Sequence, residues 1–140
     1  MKSDINMIAF TGSMATGRSI MADAAEGVKR LVMELGGNDP LIVMKDANLS
    51  AAARFAVASS FENAGQMCTS TERVYVDRTV AEEFKRQVVA AASAYQVGPW
   101  DQQGVNIGPI ANTTQHQLVL GHLKDAETKG ARFLLGKADY

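Results

Sequence analysis

The chain has 140 residues, of which 46% are hydrophobic and 21% are charged, close to the averages of globular proteins. These values argue against a disordered chain or a coiled coil, and the length suits one ordinary domain with a real core. The formal net charge is −1 and no stretch concentrates lysine or arginine, so neither nucleic acid nor an anionic membrane is an expected partner.

The start of the chain and its cysteine content bear on compartment and redox chemistry. No apolar segment of the kind found in a secretory signal follows Met1, and no run approaches the roughly 20 apolar residues that span a membrane. Cys68 is the single cysteine, which excludes an internal disulfide and a multi-cysteine metal site. His116 and His122 lie far from Cys68 in the sequence, on a predicted helix. We therefore expect a cytoplasmic protein with no metal site and no membrane partner.

Strand and helix signals alternate along the whole chain. Strands are predicted over 7–10, 31–35, 41–44, 73–77 and 132–135. Helices are predicted over 16–26, 48–63, 79–95 and 114–129. Asn48 is the expected N-cap of the second helix, Thr79 with Glu82 forms a capping-box pattern for the third, and Gly130 closes the fourth. The alternation predicts an α/β layered fold with mainly parallel strands, in an order that the sequence does not determine.

Both ends of the chain are predicted to lack neighbouring elements. The first strand begins almost at the start of the chain, and the last ends shortly before Tyr140. A parallel sheet needs covered faces and adjacent strands. An incomplete fold and a small α/β domain with short termini are both compatible with this pattern.

A glycine-rich segment, Gly12 to Ser19, follows the first predicted strand and leads into the first helix. Glycines there let backbone N–H groups approach a phosphate, and the N terminus of the helix adds a favourable partial charge. The pattern departs from that of a P-loop at one residue, because Arg18 stands where a P-loop has lysine. The segment therefore indicates either a phosphate-binding turn or a glycine-rich turn without a ligand.

Glu34 lies near the end of an apolar strand and is followed closely by Gly36 and Gly37. The glycines permit unusual backbone dihedrals and the close approach of a ligand or of another backbone. Partial burial at this position would suit the carboxyl to act as a general base. The alternative is a solvated or salt-bridged side chain at a strand end.

Cys68 follows a predicted helix and Gly65, among polar residues rather than in an apolar stripe. Such a thiol can be accessible and can have its thiolate stabilised, as a nucleophile requires. The alternative is a buried, inert cysteine, since cysteine is among the most buried residue types.

Taken in order, these segments resemble the aldehyde dehydrogenase superfamily over essentially the full length of the chain. Phe10-Thr11-Gly12-Ser13 resembles the family's pyrophosphate-contacting turn, Glu34-Leu35-Gly36-Gly37 its glutamate signature, and Gly65-Gln66-Met67-Cys68 its cysteine signature. Cys68 lies 34 residues after Glu34, which is the separation expected of the family. Two further characteristic stretches are Ile107-Gly108-Pro109-Ile110 and the segment from Lys129 to Gly136.

The resemblance implies an aldehyde dehydrogenase-like fold of mainly parallel, Rossmann-like layers that is incomplete at both ends. It implies that residues 1–35 are the last part of a cofactor-binding domain and residues 36–140 the first part of a catalytic domain. The family's oxyanion asparagine and ribose-binding lysine are expected upstream of this chain. Its ribose-binding glutamate and its oligomerisation strand are expected beyond Tyr140, and full-length members are expected to be homo-oligomers.

The resemblance also implies roles for individual residues. Cys68 is the expected nucleophile, which attacks an aldehyde and forms a thiohemiacetal, and Glu34 is the expected general base, which activates water to hydrolyse the resulting thioester. NAD or NADP is the expected hydride acceptor. The residues expected to approach this cofactor are Gly12, Ser13, Leu35 and Gly36. Met67 and Thr69 flank the nucleophile and are expected to shape the aldehyde pocket.

Three alternatives make different predictions. Acylating family members pass the thioester to coenzyme A and do not use a glutamate to activate water, so Glu34 favours the hydrolytic type. A P-loop nucleotide hydrolase would use Gly12 to Ser19 with Asp77 as its metal carboxylate, but it leaves the segments around Gly36 and Cys68 unexplained. A truncated, non-catalytic chain would fold or self-associate without turnover, because exposed strand edges invite association. We also expect the 140-residue chain alone neither to bind NAD tightly nor to oxidise aldehydes at a useful rate.

Overall fold

A computed structural model describes residues 4–136 of the chain. Residues 1–3 and 137–140 lie outside the described residues. The first range belongs to the segment in which no secretory signal was expected, and the second ends the predicted catalytic segment. The strands are β1 (Met7–Gly12), β2 (Arg30–Leu35), β3 (Asp39–Val43) and β4 (Thr71–Val76). The helices are α1 (Met14–Ala25), α2 (Leu49–Phe61), α3 (Ala81–Ala92) and α4 (Thr113–Thr128), and a short 3₁₀ turn over Glu62–Gly65 follows α2.

The four strands form two separate sheets of two parallel strands each. In the first sheet β1 pairs with β2, so that Thr11 lies opposite Glu34. In the second sheet β3 pairs with β4, so that Val43 lies opposite Val76. The α/β class and the parallel strands are therefore confirmed. The division into two sheets could not be predicted, because strand order depends on contacts between distant segments.

Helix α1 packs against the first sheet at a position where only glycine fits. Ser13 caps the helix, since its Oγ accepts a hydrogen bond from the Thr16 N–H at 3.2 Å. This cap makes the helix begin at Met14, two residues before the predicted start. Gly17 is buried, and a Cβ added to it would lie 2.8 Å from Cδ2 of Leu35 on β2. The missing side chain therefore lets α1 lie close to β2.

The main hydrophobic core lies between the second sheet and helices α2 and α3. Val43 of β3, Ala53 and Ala56 of α2, and Phe84 of α3 are buried together. The small alanines let α3 approach α2 closely enough for Phe84 to fill the space between the helices and the sheet. Asn48 caps α2 as predicted, because its Oδ1 accepts a hydrogen bond from the Ala51 N–H at 3.0 Å.

A large part of the apolar surface stays exposed. The accessible surface is 10474 Å², whereas a folded monomer of 15.0 kDa exposes roughly 7,000 Å². Met7 and Val32 are exposed on the first sheet, and Ile42 and Tyr75 are exposed on the second. Each sheet therefore has an apolar face that no element among residues 4–136 covers.

Two of the sequence predictions about the elements are wrong. The segment 132–135 is not a strand but an exposed coil after α4, and no strand among the described residues pairs with it. Leu134 of this coil lines a groove whose other lining residues include Phe84 and Val88 of α3. The capping box is also absent, because Thr79 donates its hydroxyl to Asp77 Oδ1 at 2.6 Å and Val80 becomes the N-cap.

The second helix ends earlier than predicted for a local backbone reason. Asn63 and Ala64 have φ values of 51° and 58°, which are left-handed and incompatible with a continuing α-helix. The closing glycine of α4 is confirmed, since Gly130 has a φ of 87° immediately after the C-cap Lys129. Between residues 4 and 136, no helix is long and apolar enough to cross a membrane.

We predict that Phe84→Ala lowers the free energy of unfolding by about 3–5 kcal/mol, because it leaves a cavity among the core residues of α2, α3 and β3. Phe55→Ala is the matched control, since Phe55 is 57% exposed whereas Phe84 is 4% exposed. Its expected effect is below about 1 kcal/mol. Urea denaturation of the two variants beside the native chain measures both values, and equal losses would contradict this description of the core.

Candidate active site

A cleft of about 540 Å³ opens between the carboxyl ends of β1 and β2 and the loop that precedes β4. The carboxyl ends of β1 and β2 form one wall, through Gly12 and Leu35. The loop before β4 forms a second wall, and the segment that leads into α4 closes a third side. Ligands of parallel α/β sheets bind at the carboxyl ends of the strands, so the cleft occupies the expected position for a ligand site.

Cys68 lies in a tight turn between the 3₁₀ turn and β4. The turn is closed by a hydrogen bond from the Ser70 N–H to the Met67 carbonyl at 3.2 Å. The Cys68 side chain is exposed and lines the cleft, so it is not the buried, inert cysteine of the alternative interpretation. The structure therefore confirms that the Cys68 thiol is accessible among the described residues.

Gly37 allows the Cys68 turn to approach the link between β2 and β3. A Cβ added at Gly37 would lie 3.2 Å from the Cys68 carbonyl oxygen and 2.8 Å from Asp39 Oδ2. Both distances are shorter than comfortable carbon contacts, so a side chain here would push the turn away. The second glycine of the Glu34 motif thus serves the close approach of another backbone, which was one of the two uses expected of it.

Glu34 lies near the end of β2 on the strand face away from α1. Its neighbour Leu35 points toward Gly17 of α1, and side chains alternate along a strand, so the Glu34 carboxylate points to the opposite face. The side chain is exposed and lines the cleft together with Cys68. The Glu34 carboxyl is therefore not partially buried among the described residues, unlike the case considered from the sequence.

Ser13 brings the N terminus of α1 to the cleft. Its Oγ accepts the capping hydrogen bond from Thr16 N and lies 3.0 Å from Thr16 Oγ1. When Thr16 donates in that pair, the Ser13 hydroxyl hydrogen is free to point at a ligand. The first N–H groups of the helix have no intrahelical acceptor, so this end of α1 is suited to an anion.

The cleft brings together every residue that the sequence motifs singled out for the site. These residues are Gly12, Ser13, Glu34, Leu35, Gly36 and Cys68. Met67, expected to shape the pocket, also lines the cleft, whereas Thr69 beside the nucleophile is not among its lining residues. A larger hollow of about 780 Å³ adjoins the cleft, but neither Cys68 nor Glu34 lines it.

Part of the cleft comes from residues that the sequence motifs did not assign to a site. Ile110, Ala111, Asn112, Gln115 and Val119 form its third side. Asn112 is also the N-cap of α4, because its Oδ1 accepts a hydrogen bond from the Gln115 N–H at 2.8 Å. The Gly108-Pro109 pair marked this stretch in the sequence, but only the folded chain shows that it faces Cys68.

The P-loop alternative is wrong. Asp77 follows β4 in the second sheet, whereas the Gly12–Ser19 segment follows β1 in the first. The Asp77 carboxylate accepts hydrogen bonds from the hydroxyl and the backbone N–H of Thr79, and these bonds hold the pKa of Asp77 below its usual value. Asp77 therefore closes a turn, and no cluster of potential metal ligands occurs among residues 4–136.

Known proteins share both the sequence and the fold of this chain. Residues 1–140 match the aldehyde dehydrogenase family. The chain is 42% identical to the mitochondrial aldehyde dehydrogenase of Leishmania tarentolae, over 95% of this chain and 27% of that protein. An NADP-dependent enzyme of E. coli superposes with a TM-score of 0.92 at 39% identity, over 94% of this chain and 27% of that one.

The structure of a betaine aldehyde dehydrogenase from Staphylococcus aureus in complex with NAD+ superposes with a TM-score of 0.90 at 26% identity. It is matched over 97% of this chain and 27% of that one. The chain therefore belongs to the aldehyde dehydrogenase family. It spans 27% of the length of the curated relatives that it matches.

We predict that Gly37→Ala destabilises the protein by about 1–3 kcal/mol, since the added methyl group overpacks the contact with the Cys68 carbonyl. Gly36→Ala is the control, because a Cβ at Gly36 meets no atom within 4 Å. Its expected effect lies between neutral and a slight gain in stability. Urea denaturation gives the energies, and the alkylation rate of Cys68 by iodoacetamide should change in the first variant alone. Identical behaviour of the two variants would contradict the close approach.

Proposed function

We propose that this chain is part of a longer enzyme that oxidises an aldehyde to a carboxylic acid, with NAD or NADP as the hydride acceptor. One observation carries the proposal. Of the described residues that line the cleft, Cys68 alone carries a thiol and Glu34 alone carries a carboxylate. A thiol and a carboxylate are the nucleophile and the general base that aldehyde oxidation through a thioester requires.

Cys68 begins the proposed reaction by attacking the aldehyde carbonyl as a thiolate. The product is a thiohemiacetal, whose oxyanion the Cys68 backbone N–H helps to stabilise. NAD or NADP, held by the wall that contains Ser13 and Gly36, would supply the acceptor for the hydride lost from the former aldehyde carbon, so that Cys68 would carry a thioester. Glu34 then removes a proton from a water molecule, which attacks the thioester and releases the carboxylic acid and the Cys68 thiol.

The residues of the first wall fit the pyrophosphate of such a cofactor. The N terminus of α1 offers N–H groups that lack intrahelical acceptors, and Ser13 offers a hydroxyl. Gly36 has no side chain and a Cβ there would meet no atom within 4 Å, so a ligand can reach the backbone. Gly12 and Leu35 line the cleft on either side of this open position, at the ends of β1 and β2. We assign Gly12, Ser13, Leu35 and Gly36 to cofactor contact on this basis.

Two observations support a longer enzyme. The matched relatives are about three and a half times as long as this chain, since 95% of the chain covers 27% of the relative, and both sheets leave apolar side chains exposed. Within that enzyme, we propose that residues 1–35 complete a cofactor-binding domain and that residues 36–140 begin a catalytic domain. The division agrees with the separation of β1–β2 from β3–β4. Assembly into homo-oligomers and a cytoplasmic location, which suits an unpaired exposed thiol, belong to the same proposal.

We predict that Glu34→Gln in the complete enzyme slows steady-state turnover by roughly 10²- to 10⁴-fold but preserves the first turnover. The amide cannot take a proton from water, so the thioester accumulates and NAD(P)H appears as a single burst. Rapid mixing measures the burst, and mass spectrometry of the quenched protein locates the acyl group on Cys68. Cys68→Ser is the control and should abolish both signals.

Two results would contradict this assignment of the pair. Steady-state turnover at the native rate in Glu34→Gln would show that Glu34 is not the general base. A burst of NAD(P)H in Cys68→Ser would show that Cys68 is not the nucleophile. Product analysis of the native enzyme with coenzyme A present separates the two family types. A carboxylic acid supports hydrolysis, whereas an acyl-coenzyme A supports the acylating alternative.

We predict that the 140-residue chain alone forms no NADH with a simple aldehyde and binds NAD only weakly. The groups expected upstream, the ribose-binding lysine and the oxyanion asparagine, are not part of it. Absorbance at the NADH band and calorimetric titration with NAD measure the two properties. A clear rise in absorbance would contradict the requirement for the rest of the enzyme.

A further inference from the structure

Two hydrogen bonds connect Gln66 to both sides of the cleft. Its Nε2 donates to the Asn63 carbonyl at 2.9 Å, within the loop that precedes Cys68. Its Oε1 accepts from the Ala111 N–H at 2.8 Å, 45 residues further along the chain. One side chain therefore joins the wall that carries the nucleophile to the wall that leads into α4.

The loop held by Gln66 has an unfavourable backbone conformation. Asn63, Ala64 and Gly65 are consecutive residues with φ values of 51°, 58° and 73°. Side-chain-bearing residues avoid this left-handed region, so the segment persists only where surrounding contacts hold it. The Asn63 carbonyl receives two of these contacts, one from the Gln66 backbone N–H at 3.2 Å and one from its Nε2.

The left-handed segment determines where the chain enters the Cys68 turn. Only Gln66 and Met67 separate Gly65 from Cys68, and all four residues line the cleft. A Cβ at Gly65 would lie 3.2 Å from the Ser60 carbonyl, so the end of α2 limits the segment on its other side. A shift of the loop therefore moves the thiol relative to Ala111 and to Glu34.

We propose that Gln66 is a positioning residue, which fixes Cys68 against the Ala111 wall of the cleft through its side-chain amide. The inference rests on the proposed function of Cys68. This role needs one side chain whose end carries both a donor for the Asn63 carbonyl and an acceptor for the Ala111 N–H, and glutamine supplies both. Glutamate keeps the acceptor for Ala111 but repels the Asn63 carbonyl while it is ionised. Methionine keeps the length and loses both hydrogen bonds.

The test compares Gln66→Met and Gln66→Glu in the complete enzyme. We expect Gln66→Met to lower the rate of the NAD(P)H burst by at least roughly tenfold, because small displacements of a reacting group are costly. The Kd of the cofactor should stay within about threefold of the native value, since the hydrogen bonds of the Gln66 side chain go to Asn63 and Ala111 and not to the Ser13 wall. Gln117→Met, at an exposed position of α4 that does not line the cleft, is the control and should keep the native burst rate.

The glutamate variant distinguishes positioning from a merely structural role. The burst rate of Gln66→Glu, divided by that of the native enzyme, should rise as the pH falls from 8 toward the ordinary pKa of a glutamate side chain, about 4.3. The protonated carboxyl can again donate to the Asn63 carbonyl. Glu34 and Cys68, the other titratable groups of the cleft, are present in both proteins, so the ratio removes their contribution.

Two outcomes would overturn the role of Gln66. One is a folded Gln66→Met enzyme with a burst rate within twofold of the native value. The other is a ratio for Gln66→Glu that stays constant with pH, and this measurement decides the matter if Gln66→Met does not fold. A burst that survives Cys68→Ser would instead count against the proposed function, so the two failures are distinguishable.

Discussion

The absence of a side chain at Gly37 lets the two halves of the site lie close together. The link between β2 and β3 passes so close to the turn before β4 that a Cβ at Gly37 would lie 3.2 Å from that oxygen. The first sheet supplies Glu34 and the α1 N terminus, and the second sheet supplies the support for Cys68. Without this approach, a thiol and a carboxylate from separate sheets would not line the same cleft.

The cleft combines residues held by a strand and a helix with a left-handed segment that leads to Cys68. Glu34 lies on a paired strand, and Ser13 caps a helix that packs closely on that strand. Cys68 instead follows three left-handed residues, and hydrogen bonds from Gln66 and the packing around Gly65 limit their movement. Backbone strain of this kind concentrates at active sites, where surrounding contacts hold it in place.

The sequence predicted elements where the signal is local. The Asn48 cap, the Gly130 stop and the parallel α/β class follow from residues a few positions apart, and the structure confirms them. The apolar run at 132–135 indicated a strand, but strand pairing depends on a distant partner, and the structure has an exposed coil there. The capping box failed because Asp77 competes for the Thr79 hydroxyl.

The sequence motifs named the candidate residues that line the cleft, but not the geometry that brings them together. Ordered motifs identified Cys68, Glu34 and the Ser13 turn through their resemblance to one family. Each residue was ambiguous alone, because the property that matters, a shared cleft, joins segments distant in sequence. The hydrogen bond from Ala111 to Gln66 has no local signal at all, since 45 residues separate its ends.

The central claim is that the walls contributed by α1, β2 and the Cys68 turn form one cofactor and reaction site. A crystal structure of the complete enzyme with bound NAD or NADP tests this claim most directly. The account predicts the pyrophosphate at Ser13 and the N terminus of α1, with the nicotinamide ring in the cleft between Glu34 and Cys68. A cofactor bound elsewhere, with the cleft closed or filled by protein, would contradict it.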